Sequence, residues 1–182
     1  MKILKKINMI ISALLIGLIL LHGVLVSFRF LGVGESSGLL FARTGFVLLA
    51  AHTVFGVILT IQTIHIEARG KGKLYLRANS VFWVKRLTGI AILCSLYFHF
   101  GMFGTTVDGK FELLPFTTIK LIDMLVLVIS LLIHIGINIR SLLVSMGIFA
   151  PKRRRWDIVL VLSVILVFIA VSLILYYLSW CR

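Results

Sequence analysis

Five stretches of this chain, at about 7–28, 45–66, 81–103, 121–139 and 158–178, are each apolar for roughly the 20 residues a helix needs to cross some 30 Å of hydrocarbon. Inside a bilayer every backbone N–H and C=O must find a partner within the protein, so such runs fold as helices. With 60% hydrophobic and only 14% charged residues in 182, little chain remains for a soluble domain. The sequence therefore reads as an all-α membrane protein, a single domain over 1–182 built on five transmembrane helices.

The formal net charge of +13 raises nucleic acid as a partner, but the distribution of charge argues against it. All but five of the 19 basic residues fall on one side of the expected topology: Lys2, Lys5 and Lys6 before the first span, Arg69, Lys71, Lys73, Arg77, Lys85 and Arg86 between the second and third, and Arg140 and Lys152 to Arg155 between the fourth and fifth. The other side keeps Arg29, Arg43, Lys110, Lys120 and Arg182, balanced by Glu35, Asp108, Glu112 and Asp123. The positive-inside rule then puts the N-terminus in the cytoplasm and the C-terminus outside, in a multi-pass protein of the cytoplasmic membrane. The same basic loops suit anionic membrane lipid or an acidic partner.

The first 28 residues begin basic and turn apolar as a secretory signal does, yet the run is too long and lacks a cleavage site, so it reads as a retained span. Cys94, inside the third span, and Cys181, at the outer terminus, are too far apart to pair. No C-x-x-C-H occurs, which excludes covalent c-type haem attachment. Nothing matches a dinucleotide fingerprint or a phosphate loop.

All five histidines lie in or at the edge of the apolar spans: His22 in the first, His52 and His65 in the second, His99 in the third and His134 in the fourth. A polar side chain in hydrocarbon is expensive unless it faces a partner. One such histidine is readily explained as an interhelical hydrogen bond. Four consecutive spans that each carry one point instead to ligation, because imidazole is a good axial ligand for haem iron and a bis-histidine site draws one ring from each of two helices.

Depth along the helices, at 1.5 Å per residue, suggests the pairing. His22 and His99 each lie roughly 23 to 26 Å from the cytoplasmic end of their spans, which makes them an outer pair. His134 comes only about 9 Å before Arg140, so its site is nearer the cytoplasm and its partner must come from the second span. Both His52 and His65 are open to that role. His65 is followed by Glu67 and Arg69, an ordinary setting for a solvated interfacial histidine, whereas Ala50, Ala51 and Gly56 around His52 would let a flat macrocycle approach the backbone.

Three further polar residues fit a cofactor site. Arg86, at the cytoplasmic edge of the third span, can fork onto a propionate or a lipid phosphate. Asn138 follows His134 at i+4 and shares its face, while Arg140 is turned away. Asp123 is the only acid within an apolar span, and it is open to pairing with Lys120 or to handling protons.

These segments resemble the membrane cytochrome b subunits of succinate dehydrogenase and fumarate reductase, in the five-span, two-haem form that uses menaquinone. LILLHGVLVS (18–27) and AAHTVFGVIL (50–59) are similar to the first two ligand segments. NSVFWVKRLTGI (79–90), followed by the histidine of SLYFHF, matches the family's R-[VIL]-[ST]-G entry to the third helix. LLIHIGINIRSLLVSMGIF (131–149) resembles the fourth segment. The chain departs from some relatives at Leu132, where a glutamate stands in certain quinol-oxidising members, and at Ser141 and Ser145, where single-haem members carry a histidine and an aspartate.

The resemblance implies that the first four helices clamp two haem b groups, with His22 and His99 on the distal iron, His52 and His134 on the proximal iron, and Arg86 at a propionate. Electrons would then pass between menaquinone near the outer face and a cytoplasmic iron–sulfur subunit bound to an FAD-containing flavoprotein. On that reading Glu35 and Asp123 are candidate proton acceptors for the quinol. Two rivals remain: a cytochrome b of another respiratory complex, such as a hydrogenase or formate dehydrogenase, and a haem-free anchor or transporter whose histidines only hold helices together.

Overall fold

A computed structural model of the chain describes residues 2–34, 38–69, 79–107, 110–147 and 152–181. Five helices carry it: α1 (Lys2–Phe30), α2 (Leu39–Arg69), α3 (Ser80–His99), α4 (Thr118–Ser145) and α5 (Lys152–Trp180). Each is long and apolar enough to cross a membrane, as expected of a multi-pass membrane protein. Hydroxyls within the spans turn back onto their own helix, as Thr60 does to the Gly56 carbonyl and Thr63 to the Leu59 carbonyl, both at 2.7 Å. That habit lets a polar residue sit in an apolar helix without a second helix to receive it.

Two features depart from the sequence expectation. The third span ends at His99 rather than running to 103, because Phe100 is extended and Gly101 takes a left-handed φ of +73° that redirects the chain. Beyond it a short antiparallel hairpin forms, β1 (Gly104–Val107) on β2 (Lys110–Leu113), pairing Gly104 with Leu113 and Val107 with Lys110. The fourth helix also runs past Arg140 to Ser145, so Arg140 marks no end of it.

Helix starts follow local chemistry. The Asn79 side chain accepts the Phe82 N–H at 3.0 Å and caps α3. At the start of α4 the Lys120 amine donates to the carbonyls of Met102 and Pro115, both at 2.8 Å, tying the hairpin to the helix.

Successive helices run antiparallel, α1 against α2 and α3 against α4, while α5 packs on both α1 and α4. The α1–α5 contact is close because its residues are small: a Cβ at Gly23 would meet Ile169 Cδ1 at 2.6 Å, and one turn on the Ser172 hydroxyl lies 2.8 Å from that of Ser27. Apolar cores lie along the α3–α4–α5 side, one around Ile92, Met124, Leu127 and Leu173 and a second around Ile135, Ile139 and Leu162. Across the best spanning stretch of α4 33% of residues are buried, against 6% in α1 and in α2. The α1–α2 hairpin thus faces α3–α4 over an open slot more than over packed side chains.

Candidate functional site

The slot brings four of the five histidines together as two pairs. At the end that carries the β-hairpin, His22 of α1 faces His99 of α3 with ring centres 6.3 Å apart and planes at 85°. Toward the opposite end, which carries the N-terminus, His52 of α2 faces His134 of α4 at 6.5 Å and 86°. Each pair joins diagonal helices of the first four. The layers are separated by about ten residues of α1 or α3, roughly 15 Å along the axis.

The ring separation has a chemical meaning. With about 2.0–2.1 Å from each imidazole nitrogen to a metal and each ring centre about 1.1 Å behind its nitrogen, two trans imidazoles have centres about 6.3 Å apart. Both pairs match that spacing. Among the described residues no cluster of three or more histidine, cysteine, aspartate or glutamate side chains is arranged to hold a metal. Each pair could supply two nitrogen ligands, one from each ring, to a metal held between them.

The second ring nitrogen is engaged in all four cases. His22 Nδ1 lies 3.2 Å from the Gly38 carbonyl, to which it must be the donor. His99 Nδ1 lies 3.3 Å from the Met124 sulfur, His52 Nδ1 3.1 Å from the Ser12 hydroxyl and His134 Nδ1 3.0 Å from the Thr88 hydroxyl. In each of these contacts the nitrogen is Nδ1, and His134 also has a hydrogen bond with the Lys85 backbone. Metal-binding histidines commonly show this division, with one nitrogen on the metal and the other fixed by an outer partner.

Backbone geometry supports these contacts. Gly38 turns the chain into α2 at φ +60°, and a Cβ there would come within 2.9 Å of His22 Nδ1. Only glycine fits both demands. Gly89, directly after Thr88, leaves room beside the His134 ring, whose Cε1 lies 3.6 Å from where a Cβ would stand.

A cavity of about 1050 Å³, counting its open side, surrounds the His22–His99 pair. The walls are almost wholly apolar, among them Leu15, Leu49, Leu127 and Leu166, with Gly23 and Gly45 between them. Aromatic rings close the hairpin end: Phe103 stacks on Phe116 at 5.2 Å, Phe30 stacks on Tyr176 at 4.3 Å, and Phe103 stands 5.3 Å from His99.

The remaining sequence candidates fall as follows. His65 is exposed on α2 and outside both pairs. Arg86 folds back along α3, with Nη1 donating to the Phe82 carbonyl at 3.1 Å and the guanidinium 3.7 Å over the Phe82 ring. Asn138 donates to the His134 carbonyl at 2.7 Å. Asp123 precedes Met124, the contact of His99, so it sits at the level of that pair, and its buried Oδ2 has no hydrogen-bond partner among the described residues. The Lys120 amine, one of the partners weighed for it, donates to the carbonyls of Met102 and Pro115. Glu35 and the basic residues of 70–78 lie outside the described residues, as do the side chains of 152–155.

Sequence reasoning missed the four Nδ1 partners, Ser12, Gly38, Thr88 and Met124. Only Thr88 carried a signal, since it lies within the RLTG motif. No family model, curated protein or solved structure matches this chain.

Proposed function

We propose that the chain is a di-haem cytochrome b, the membrane-anchor subunit of a succinate:menaquinone oxidoreductase or fumarate reductase. The observation that carries the reading is the pair of facing imidazoles in each layer, at 6.3 and 6.5 Å, with every Nδ1 already engaged. Bound haem would supply a one-electron couple in each layer. His22 with His99, and His52 with His134, would fill both axial positions, which leaves no open coordination site and favours electron passage over oxygen chemistry.

The choice of partners rests on the sequence resemblance. Menaquinone would react at the hairpin end, taken as the outer face from the charge bias, where Asp123 offers a buried oxygen without a partner as proton acceptor. Glu35 is the second acid proposed there. The basic N-terminus, the segment from Arg69 to Arg86 and the start of α5 at Lys152 to Arg155 would dock an iron–sulfur subunit, itself bound to a flavoprotein that performs the dicarboxylate chemistry. Arg86 would lie by an acidic arm of the haem nearer that side.

A reduced-minus-oxidised spectrum of the purified protein, with a haem count, tests the reading. A b-type alpha band with about two haems per chain is expected; a protein without bound haem overturns it. Copurification then separates the partners: a flavoprotein and an iron–sulfur protein support the assignment, and hydrogenase or formate dehydrogenase subunits refute it.

A further inference from the structure

Two of the four Nδ1 partners are hydroxyls, and both belong to the His52–His134 pair. Their protons are already committed. Ser12 Oγ donates to the Asn8 carbonyl at 2.7 Å, and Thr88 Oγ1 donates to the Val84 carbonyl at 2.7 Å, each shorter than the hydroxyl's distance to the imidazole. A hydroxyl has one proton to give and two lone pairs to receive with, so each oxygen faces its imidazole as an acceptor. The proton between ring and hydroxyl therefore sits on Nδ1, and Nε2 is left with its lone pair.

We propose that Ser12 and Thr88 are positioning residues for the His52–His134 pair. They hold both rings in the tautomer that presents Nε2 across the slot, and as acceptors they set how strongly those rings donate to a metal. The two contacts form matching relays, N–H to O–H to a helix carbonyl, on α1 and on α3. In such a chain each bond polarises the next, which strengthens the hydroxyl as an acceptor. The His22–His99 pair has no hydroxyl; its acceptors are the Gly38 carbonyl and the Met124 thioether. The two layers thus differ in the groups behind their ligands although the ligands themselves are identical.

This inference rests on the di-haem reading, and the experiment keeps the two apart. Wild-type protein is first assayed for b-type haem and titrated potentiometrically; absence of haem would sink the function proposed above before any variant is made. Ser12→Ala and Thr88→Val are then titrated in the same way. An acceptor on Nδ1 makes Nε2 a better donor and favours the oxidised iron, so its loss should move one of the two midpoints to more positive potential and leave the other unchanged. Loss of one haem in Thr88→Val with both retained in Thr88→Ser, which keeps the hydroxyl, also supports the proposal. Two unshifted midpoints in the Ser12→Ala, Thr88→Val double variant with both haems bound would overturn it. So would a Thr88→Ser protein that behaves as Thr88→Val does, because the side chain's bulk rather than its oxygen would then be what matters.

Discussion

The His22 and His99 rings stand nearly perpendicular, at 85° with 6.3 Å between their centres, on helices α1 and α3 that have no turn joining them. Each ring is anchored from behind on a different element, His22 on Gly38 at the start of α2 and His99 on Met124 of α4. All four helices of the slot thus meet in this one layer. On the di-haem reading, replacing His99 by leucine would remove one ligand and leave the His52–His134 layer, about 15 Å away, untouched. The variant should retain about one haem per chain, measured by pyridine haemochrome assay against protein. Retention of two would refute the ligand assignment.

His65 is the control. Exposed near the C-terminal end of α2 and outside both ring pairs, it should be replaceable by alanine with no change in haem content or in either midpoint. Loss of a haem in that variant would reopen the choice between His52 and His65.

The meeting of four histidines inside the bundle was legible in the sequence, because an imidazole in a run such as LLIHIGINIR is costly without a partner and four such runs in succession demand a shared explanation. Rise per residue put His22 with His99 and set His134 apart, while the choice of His52 over His65 came from the small residues around it and from the resemblance. The supporting shell was not legible. Ser12 and Thr88 look like any hydroxyl that satisfies itself on the preceding turn, which both also do, and Met124 looks like core. Nor did hydropathy locate the end of α3. Phe100 and Phe103 are as apolar as the span before them, yet they leave the helix at Gly101 to form the aromatic closure over His99, and the four-residue strands beyond are too short to show a period.

Gly38 makes a separate demand on the hairpin-side layer. An alanine there would have to hold a φ of +60°, at a cost of about 1–2 kcal/mol, with its Cβ 2.9 Å from His22 Nδ1. The ring must shift to relieve the contact and then lose its bond to the Gly38 carbonyl. Gly38→Ala should lower thermal stability and, on the di-haem reading, perturb only the haem that His22 would ligate, seen as a change in one of two low-spin signals. A variant with both signals unaltered would show that the turn does not hold the ring.

Ser27 and Ser172 test how far the α1–α5 contact depends on a buried polar pair. Both are 1% exposed, with the Ser172 hydroxyl 2.8 Å from that of Ser27 and also 2.8 Å from the Ile169 carbonyl. Ser172→Ala leaves Ser27 facing a methyl group. In water-soluble proteins an orphaned buried hydroxyl costs roughly 1–3 kcal/mol. Within a membrane helix the hydroxyl can instead turn to a carbonyl of its own helix, and measured interhelical bonds average about 0.6 kcal/mol. Each single alanine variant should therefore destabilise the protein by under about 1 kcal/mol. The double variant should cost no more than the larger single, because it removes both polar atoms while the close approach at Gly23 remains. Denaturation of the four proteins in one detergent measures the coupling. Fully additive losses would mean that the two hydroxyls act independently and that each matters for its own helix.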